Sequence, residues 1–140
     1  EGSTIQSIAQ AATQQAPAAN KEERIARGKM LYTSICMACH QPEGQGIPKA
    51  FPPVAKSDYL NADPKRAIAT VLHGLQGKVT VNGETYESIM PQLGLNDEQV
   101  ANALTYVYNN WGNNGTEVLP AMVKEVRATV PPPAAAPGAH

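Results

Sequence analysis

Cys36-Met37-Ala38-Cys39-His40 is the stretch on which the fold of this 140-residue chain turns. It reads C-x-x-C-H, the attachment signature of a covalent c-type haem. The spacing has a chemical cause. Two thiols set this far apart can each add to one of a haem's two neighbouring vinyl groups, and the next residue is then carried under the iron as its proximal ligand. The motif uses both cysteines of the chain, so no disulfide framework remains. Cys36 and Cys39 have two rival readings, a redox dithiol and half a zinc site. Neither is well supported, because no strand–helix alternation of a thioredoxin-like kind accompanies the motif and a second cysteine pair is absent.

Composition agrees with a large apolar guest. The chain has one Trp, five Tyr and one Phe, a thin supply of bulky side chains for a core of this size. A buried porphyrin is a flat apolar body that makes up the deficit. The formal net charge of −1 gives no basic face for nucleic acid. No apolar run approaches the length of a membrane span. The chain opens Glu1-Gly2-Ser3-Thr4, without the basic-then-apolar pattern of a signal peptide. With covalent haem, the expectation is a periplasmic bacterial protein whose targeting segment has been removed.

Residues 1–19, rich in Ala and Gln, read as a flexible linker, and residues 131–140 as a Pro/Ala tail. Between them lie a haem domain over 20–112 and a C-terminal extension over 113–130. The first helix starts at Asn20, whose side chain caps it while Glu23 completes a capping box. Ile25, Gly28, Tyr32 and Ile35 share one face, and a glycine on a packed face predicts close approach of another backbone. The second helix opens at Asp63-Pro64, a cap followed by proline in the first turn, and ends at Gly74 and Gly77. The third starts at Asn96, with Gln99 placed for a capping box, Val100, Ala103, Leu104, Val107 and Trp111 inward, and Gly112 at its end. A weaker helix covers Pro120 to Arg127, with Met122, Val123 and Val126 inward. Lys78 to Tyr86 alternates around Asn82-Gly83 and predicts a β-hairpin lying on the haem edge. The fold class is therefore all-α: three main helices around a covalent haem, with one short hairpin.

An iron that only carries electrons takes a second axial ligand. Met90 is the leading candidate, because it follows the second helix and hairpin and Pro91 biases it toward an extended backbone. Met37 lies inside the motif and cannot reach the far face of the ring. Met30 and Met122 sit on helices where packing explains them. His73, near the end of the second helix, is the main rival, although a cation there also suits the helix dipole. His140 lies in the tail. The proximal His40 needs an acceptor for its other ring nitrogen, and the segment Phe51-Pro52-Pro53-Val54 offers backbone carbonyls.

These residues together resemble class I cytochrome c. Gly28-x-x-x-Tyr32 is similar to that family's first-helix pattern, Cys36-x-x-Cys39-His40 to its attachment site, Met90-Pro91 to its distal loop and Tyr106 to Trp111 to its last helix. The resemblance covers residues 21 to about 112. It implies one covalently attached haem c, with Cys36 and Cys39 binding the ring, His40 and Met90 binding the iron, and the Pro52 carbonyl supporting His40. Lys56 departs from the glycine often found after the proline segment. Residues 51–60 and 73–83 are further similar to haem domains fused to copper nitrite reductases.

The function expected from this resemblance is single-electron transfer to a redox partner, with a copper nitrite reductase as the specific expectation. The exposed haem edge is expected to be framed by Met37, Ala38, Ile47, Pro48, Ile89 and Pro91. The alternative is a haem enzyme or gas sensor, which requires an open iron site with Met90 off the metal.

Overall fold

A computed structural model of the chain describes residues 17–130. The reading of 131–140 as a tail, His140 included, and most of the 1–19 linker lie outside the described residues. Ala18 and Ala19, the two residues before Asn20, donate backbone N–H groups to the Glu98 and Glu23 carboxylates at 2.9 and 2.8 Å.

Helix α1, Lys21–Leu31, is capped by Asn20, whose side chain accepts from the Glu23 N–H at 2.8 Å. The Glu23 carboxylate takes the Ala19 N–H rather than that of Asn20, so the reciprocal bond closes one residue earlier than the sequence predicts. The helix runs without interruption into a π-helical turn, Tyr32–Cys36, and then α2, Met37–His40. The extra residue of a π-turn is a frequent device near functional sites, and here it falls immediately before the motif. The buried face of α1 is Arg24, Gly28 and Leu31, continued by Tyr32. Ile25 and Ile35 are half-buried beside it.

α3, Asp58–Ala62, has no counterpart in the sequence expectations. It is one turn long, too short to show a period, and its start is capped by the Ser57 hydroxyl on the Leu60 N–H. α4, Pro64–His73, begins as predicted: the Asp63 carboxylate accepts from the Lys65 and Arg66 N–H groups. Gly74 ends it, but Gly77 lies in a strand. Strands β1, Leu75–Val81, and β2, Glu84–Met90, pair antiparallel around the predicted Asn82-Gly83 turn. The ladder is longer than the sequence suggests. It runs to Leu75↔Met90, so Met90 stands at a strand end rather than in a free loop. At the other end Asn82 and Asp58 exchange two side-chain-to-backbone bonds of 2.8 and 2.9 Å, which fasten the hairpin tip to α3.

α5, Asp97–Tyr108, carries the capping box predicted from Asn96 and Gln99, with both bonds at 2.8 Å. It stops short of Gly112. Trp111, expected on its inner face, has a left-handed backbone (φ 55°) and lies beyond the helix. There its ring packs on Tyr32 and Tyr106 with centroids 5.2 and 5.5 Å away. α6, Pro120–Thr129, buries Val123 and Val126 fully. They join Ile68, Val100, Leu104 and Tyr108 in the main core, so residues read as an extension contribute to the same packing as the haem domain.

α1 and α5 cross at Gly28, where a Cβ would collide with the carbonyl group of Asn102 and approach Tyr106 Cβ to 2.7 Å. Beside the crossing the guanidinium of Arg24, only 5 % exposed, donates to Asn102 Oδ1 at 2.8 Å and pairs with Glu98 and Glu117 at 3.4 Å. A buried charge survives only when it is paired and hydrogen-bonded, and these partners tie α1 to α5 and to the segment before α6. A smaller cluster, Val79, Val81 and Tyr86 with Tyr59 and Leu75, seats the hairpin.

Candidate functional site

The α1–π–α2 run delivers Cys36, Cys39 and His40 to one wall of a cavity of about 200 Å³. The loop that follows folds back on this wall. The Gly46 N–H donates to the His40 carbonyl at 3.0 Å, and the Val54 and Ala55 N–H groups donate to Gly44 at 2.8 and 2.9 Å. This holds the Pro52 carbonyl 2.8 Å from His40 Nδ1. A carbonyl only accepts, so Nδ1 carries the proton and Nε2 is left with a free lone pair. Burial holds His40 below the usual imidazole pKa, with the Pro52 bond opposing. The ring is therefore neutral at pH 7, the form that binds a metal.

Cys36 and Cys39 are unpaired. Burial, and to a lesser degree Cys39, push the Cys36 thiol up to about 12. A reactive dithiol needs a depressed thiol pKa, so a thiol–disulfide role fits this wall poorly. Among the described residues no group of three or more His, Cys, Asp or Glu side chains gathers for a metal ion, as a structural zinc site requires.

The rest of the cavity is apolar, from Val54, Leu60, Val71, Leu93, Leu104 and Val107. Among the described residues, no Asp, Glu, Lys or Arg lines it. Met90 does, next to Pro91, and it is the one methionine among the described residues on the wall. Met30 is 60 % exposed, and Met37 and Met122 pack against the main core outside the cavity. His73 does not line it either. Two thiols, an imidazole with Nε2 free, a thioether and uncharged walls fit a covalently held haem.

Met90 is located by its backbone. The end of α4 turns at Gly74 (φ +79°), where a Cβ would stand 2.6 Å from the Met90 carbonyl oxygen and 3.1 Å from the Gln92 nitrogen. Only glycine combines this φ with this contact. Gly74→Ala is expected to push the 90–92 segment away from α4. In the haem-loaded protein this weakens or abolishes the methionine–iron charge-transfer absorption of the ferric state while covalent haem is retained. An unchanged band in that variant shows that the contact does not set the position of Met90.

One corner of the cavity is polar, a feature with no motif in the sequence to mark it. Ser57, Tyr59 and Thr70 line it, with the Tyr59 hydroxyl 2.9 Å from that of Thr70. Arg66 lies behind, its Cζ 3.9 Å from the Tyr59 ring centroid and its Nη2 donating to the Tyr59 carbonyl at 2.6 Å. Arg66 Nε and His73 Nε2 are buried nitrogens without a hydrogen-bond partner. Lys56, the departure noted above, adopts a left-handed backbone (φ 48°) at the position where glycine is common, and its methylene stem packs against Gly112.

Of the residues expected to frame the haem edge, Ile89 is 66 % and Ile47 38 % exposed, and Ala38, Pro48 and Pro91 are also exposed; Ile89 and Pro91 line the cavity. Met37, expected in this frame, is half-buried against the core instead.

The family model described as Cytochrome c matches residues 25–111. Cytochrome c-552 of Thermus thermophilus is 39 % identical over 93 residues, covering 63 % of this chain and 70 % of that protein. The fructose dehydrogenase cytochrome subunit of Gluconobacter japonicus is 34 % identical over 110 residues, and the gluconate 2-dehydrogenase cytochrome c subunit of Pantoea cypripedii 32 % over 100. The match spans only 22 % of each of those two subunits. Among the described residues, no helix is long and apolar enough to cross a membrane.

Proposed function

The chain belongs to the cytochrome c family, and from that premise we propose that it carries single electrons through a haem c ligated by His40 and Met90. The supporting observation is the placement of both side chains on one uncharged cavity with Cys36 and Cys39, His40 being oriented by the Pro52 carbonyl at 2.8 Å. When bound, the haem supplies an iron that alternates between ferrous and ferric states. The chain does the rest. Cys36 and Cys39 tether the ring, and His40 presents a neutral nitrogen. Met90 offers a soft thioether that favours the reduced metal relative to a second histidine and so raises the potential. The apolar walls keep water out, and the hairpin ladder and Gly74 contact hold Met90 in place, so little has to move when an electron arrives. A methionine so held speaks against the open iron site of a gas sensor or haem enzyme.

Electrons enter and leave at the rim, where Ile47, Ile89 and Pro91 offer a small apolar surface for brief docking of a redox protein. A net charge of −1 gives little electrostatic steering. A copper nitrite reductase is the partner suggested by residues 51–60 and 73–83. The relatives described above include dehydrogenase cytochrome subunits, and we favour a dehydrogenase as the electron donor, in a periplasmic setting. Stopped-flow mixing tests the choice: the ferric protein is expected to be reduced faster by a substrate-loaded periplasmic dehydrogenase than the ferrous protein is oxidised by a copper nitrite reductase, and the reverse order would restore the nitrite reductase. The carrier reading itself predicts a reversible one-electron titration and no carbon monoxide binding by the ferrous protein at neutral pH. Ready carbon monoxide binding would contradict it.

A further inference from the structure

We propose that Asn113, in the turn after α5, is a positioning residue for the proximal side of the iron site: through Val54 it holds the Pro52 carbonyl against His40 and so sets the redox potential. This rests on the His40/Met90 reading above. Pro52 and Pro53 have no N–H and cannot anchor themselves by donating. The stretch is held at its ends. Phe51 and Ile47 exchange backbone bonds of 2.8 Å in both directions, and the Val54 N–H donates to the Gly44 carbonyl. Those anchors lie inside the 41–55 loop, so they shape it without fixing it to a helix. Asn113 supplies a tie to a helix. Its Nδ2 donates to the Val54 carbonyl at 2.9 Å and to the Val107 carbonyl of α5 at 2.8 Å.

The surroundings fix which way the Asn113 amide points. Nδ2 faces two carbonyl oxygens, which only accept, and Oδ1 accepts from Asn61 Nδ2 at 2.8 Å. Asn61 also donates to the Ser57 carbonyl at 2.7 Å, and its Oδ1 takes the Asn114 N–H at 3.0 Å. Both N–H bonds and the oxygen of Asn113 are thus engaged, on the 41–55 loop, α3 and α5. The segment that carries Asn113 is itself clamped to α5. The Gly115 N–H donates to the Tyr108 carbonyl at 2.8 Å, and the Thr105 hydroxyl bonds the Val118 N–H and carbonyl at 2.9 and 3.1 Å. Trp111 of the same turn also meets the loop, since a Cβ on Gly44 would stand 2.7 Å from its ring. From there the path to the metal ligand is short. Val54 is two residues from Pro52, whose carbonyl accepts from His40 Nδ1 at 2.8 Å. That bond makes the imidazole a stronger electron donor, which favours ferric iron. Loosening it therefore raises the potential.

The test uses the haem-loaded protein. Asn113→Ala removes the tie between the Val54 carbonyl and α5. It is expected to keep covalent haem and the methionine–iron band, and to raise the midpoint potential by about a threefold change in the ferrous-to-ferric ratio, ~28 mV for one electron. In proton NMR of the ferrous protein, His40 Nδ1–H exchanges with solvent roughly tenfold faster, the scale on which one hydrogen bond biases a local opening. Asn110→Ala is the control. That side chain donates within its own turn, to the Tyr106 carbonyl at 2.7 Å, so neither readout moves. If Asn113→Ala does not retain haem, Asn61→Ala removes the donor to Asn113 Oδ1 while leaving the bond to Val54, and both readouts move the same way by less. A merely structural Asn113 lowers stability and moves neither readout. Unchanged readouts in the variant that retains haem and band, a lowered potential, or a raised potential with unchanged exchange overturns this inference alone. Absence of the methionine band in the unsubstituted protein defeats the His/Met reading instead.

Discussion

Replacing Met90 with alanine is expected to convert a closed iron site into an open one. Cys36, Cys39 and His40 lie on a wall built by α1, α2 and the 41–55 loop, so covalent attachment and the proximal side survive the change. The ferric protein loses its methionine–iron charge-transfer band, and the ferrous protein gains carbon monoxide binding. The midpoint potential falls by more than about 0.1 V, a modest part of the roughly 0.8 V range that axial ligands command. The direction follows from chemistry, because a thioether stabilises the ferrous state and its removal leaves water or nothing in that position. Met90 is only half-buried, so the folding cost should sit near or below the lower end of the ~2–5 kcal/mol usual for Met-to-Ala in a core. Met30→Ala is the control: that side chain is 60 % exposed, and neither band nor potential should move. A variant at position 90 that keeps the band would assign the ligand elsewhere.

The second large effect is expected at Gly28. Helix propensity alone predicts that alanine there stabilises α1 by about 1 kcal/mol. The packing predicts the opposite. A Cβ at residue 28 meets the Asn102 backbone carbonyl and comes within 2.7 Å of Tyr106 Cβ, and a backbone carbonyl inside α5 cannot swing aside as a flexible side chain would. Overpacking of this kind costs typically ~1–3 kcal/mol and sometimes more, so the contact outweighs the propensity gain. Gly28→Ala should lose about 1–2 kcal/mol net, and Gly28→Val should approach the whole stability of a domain this size. Parting α1 from α5 also disturbs the Arg24 bonds to Asn102 and Glu98 and the Tyr32–Tyr106–Trp111 cluster. Chemical denaturation of the haem-loaded variants measures this. Equal or greater stability for Gly28→Ala would mean the helices separate more easily than their packing indicates.

Features with a local cause were legible in the sequence. Asn96 with Gln99, Asp63 with Pro64, and Asn82 with Gly83 each satisfy backbone groups within a few residues, and each appears where its pattern predicts. Gly28 was legible because a glycine on an apolar helical face needs an external reason. The haem motif announces itself by spacing, and the Pro52 carbonyl does meet His40. Features that depend on distant partners were not legible. Arg24 reads as a surface charge until Asn102, Glu98 and Glu117 are brought around it. Trp111 sits at helical spacing from Val107, yet the chain turns left-handed there to complete an aromatic cluster with residues from two helices. α3 is too short for periodicity, and the ladder reaching Met90 depends on pairing with Leu75. The corner of Ser57, Tyr59, Arg66 and Thr70 joins two helices with no shared motif, and only an unpartnered Nε exposes it.

The central claim is that one haem iron is held between His40 and Met90. Iron X-ray absorption on the unsubstituted ferric protein tests it most directly. A shell of five nitrogen scatterers and one sulfur, with the sulfur lost in Met90→Ala, is the predicted result. A six-nitrogen shell, or a five-coordinate iron without sulfur, would contradict it.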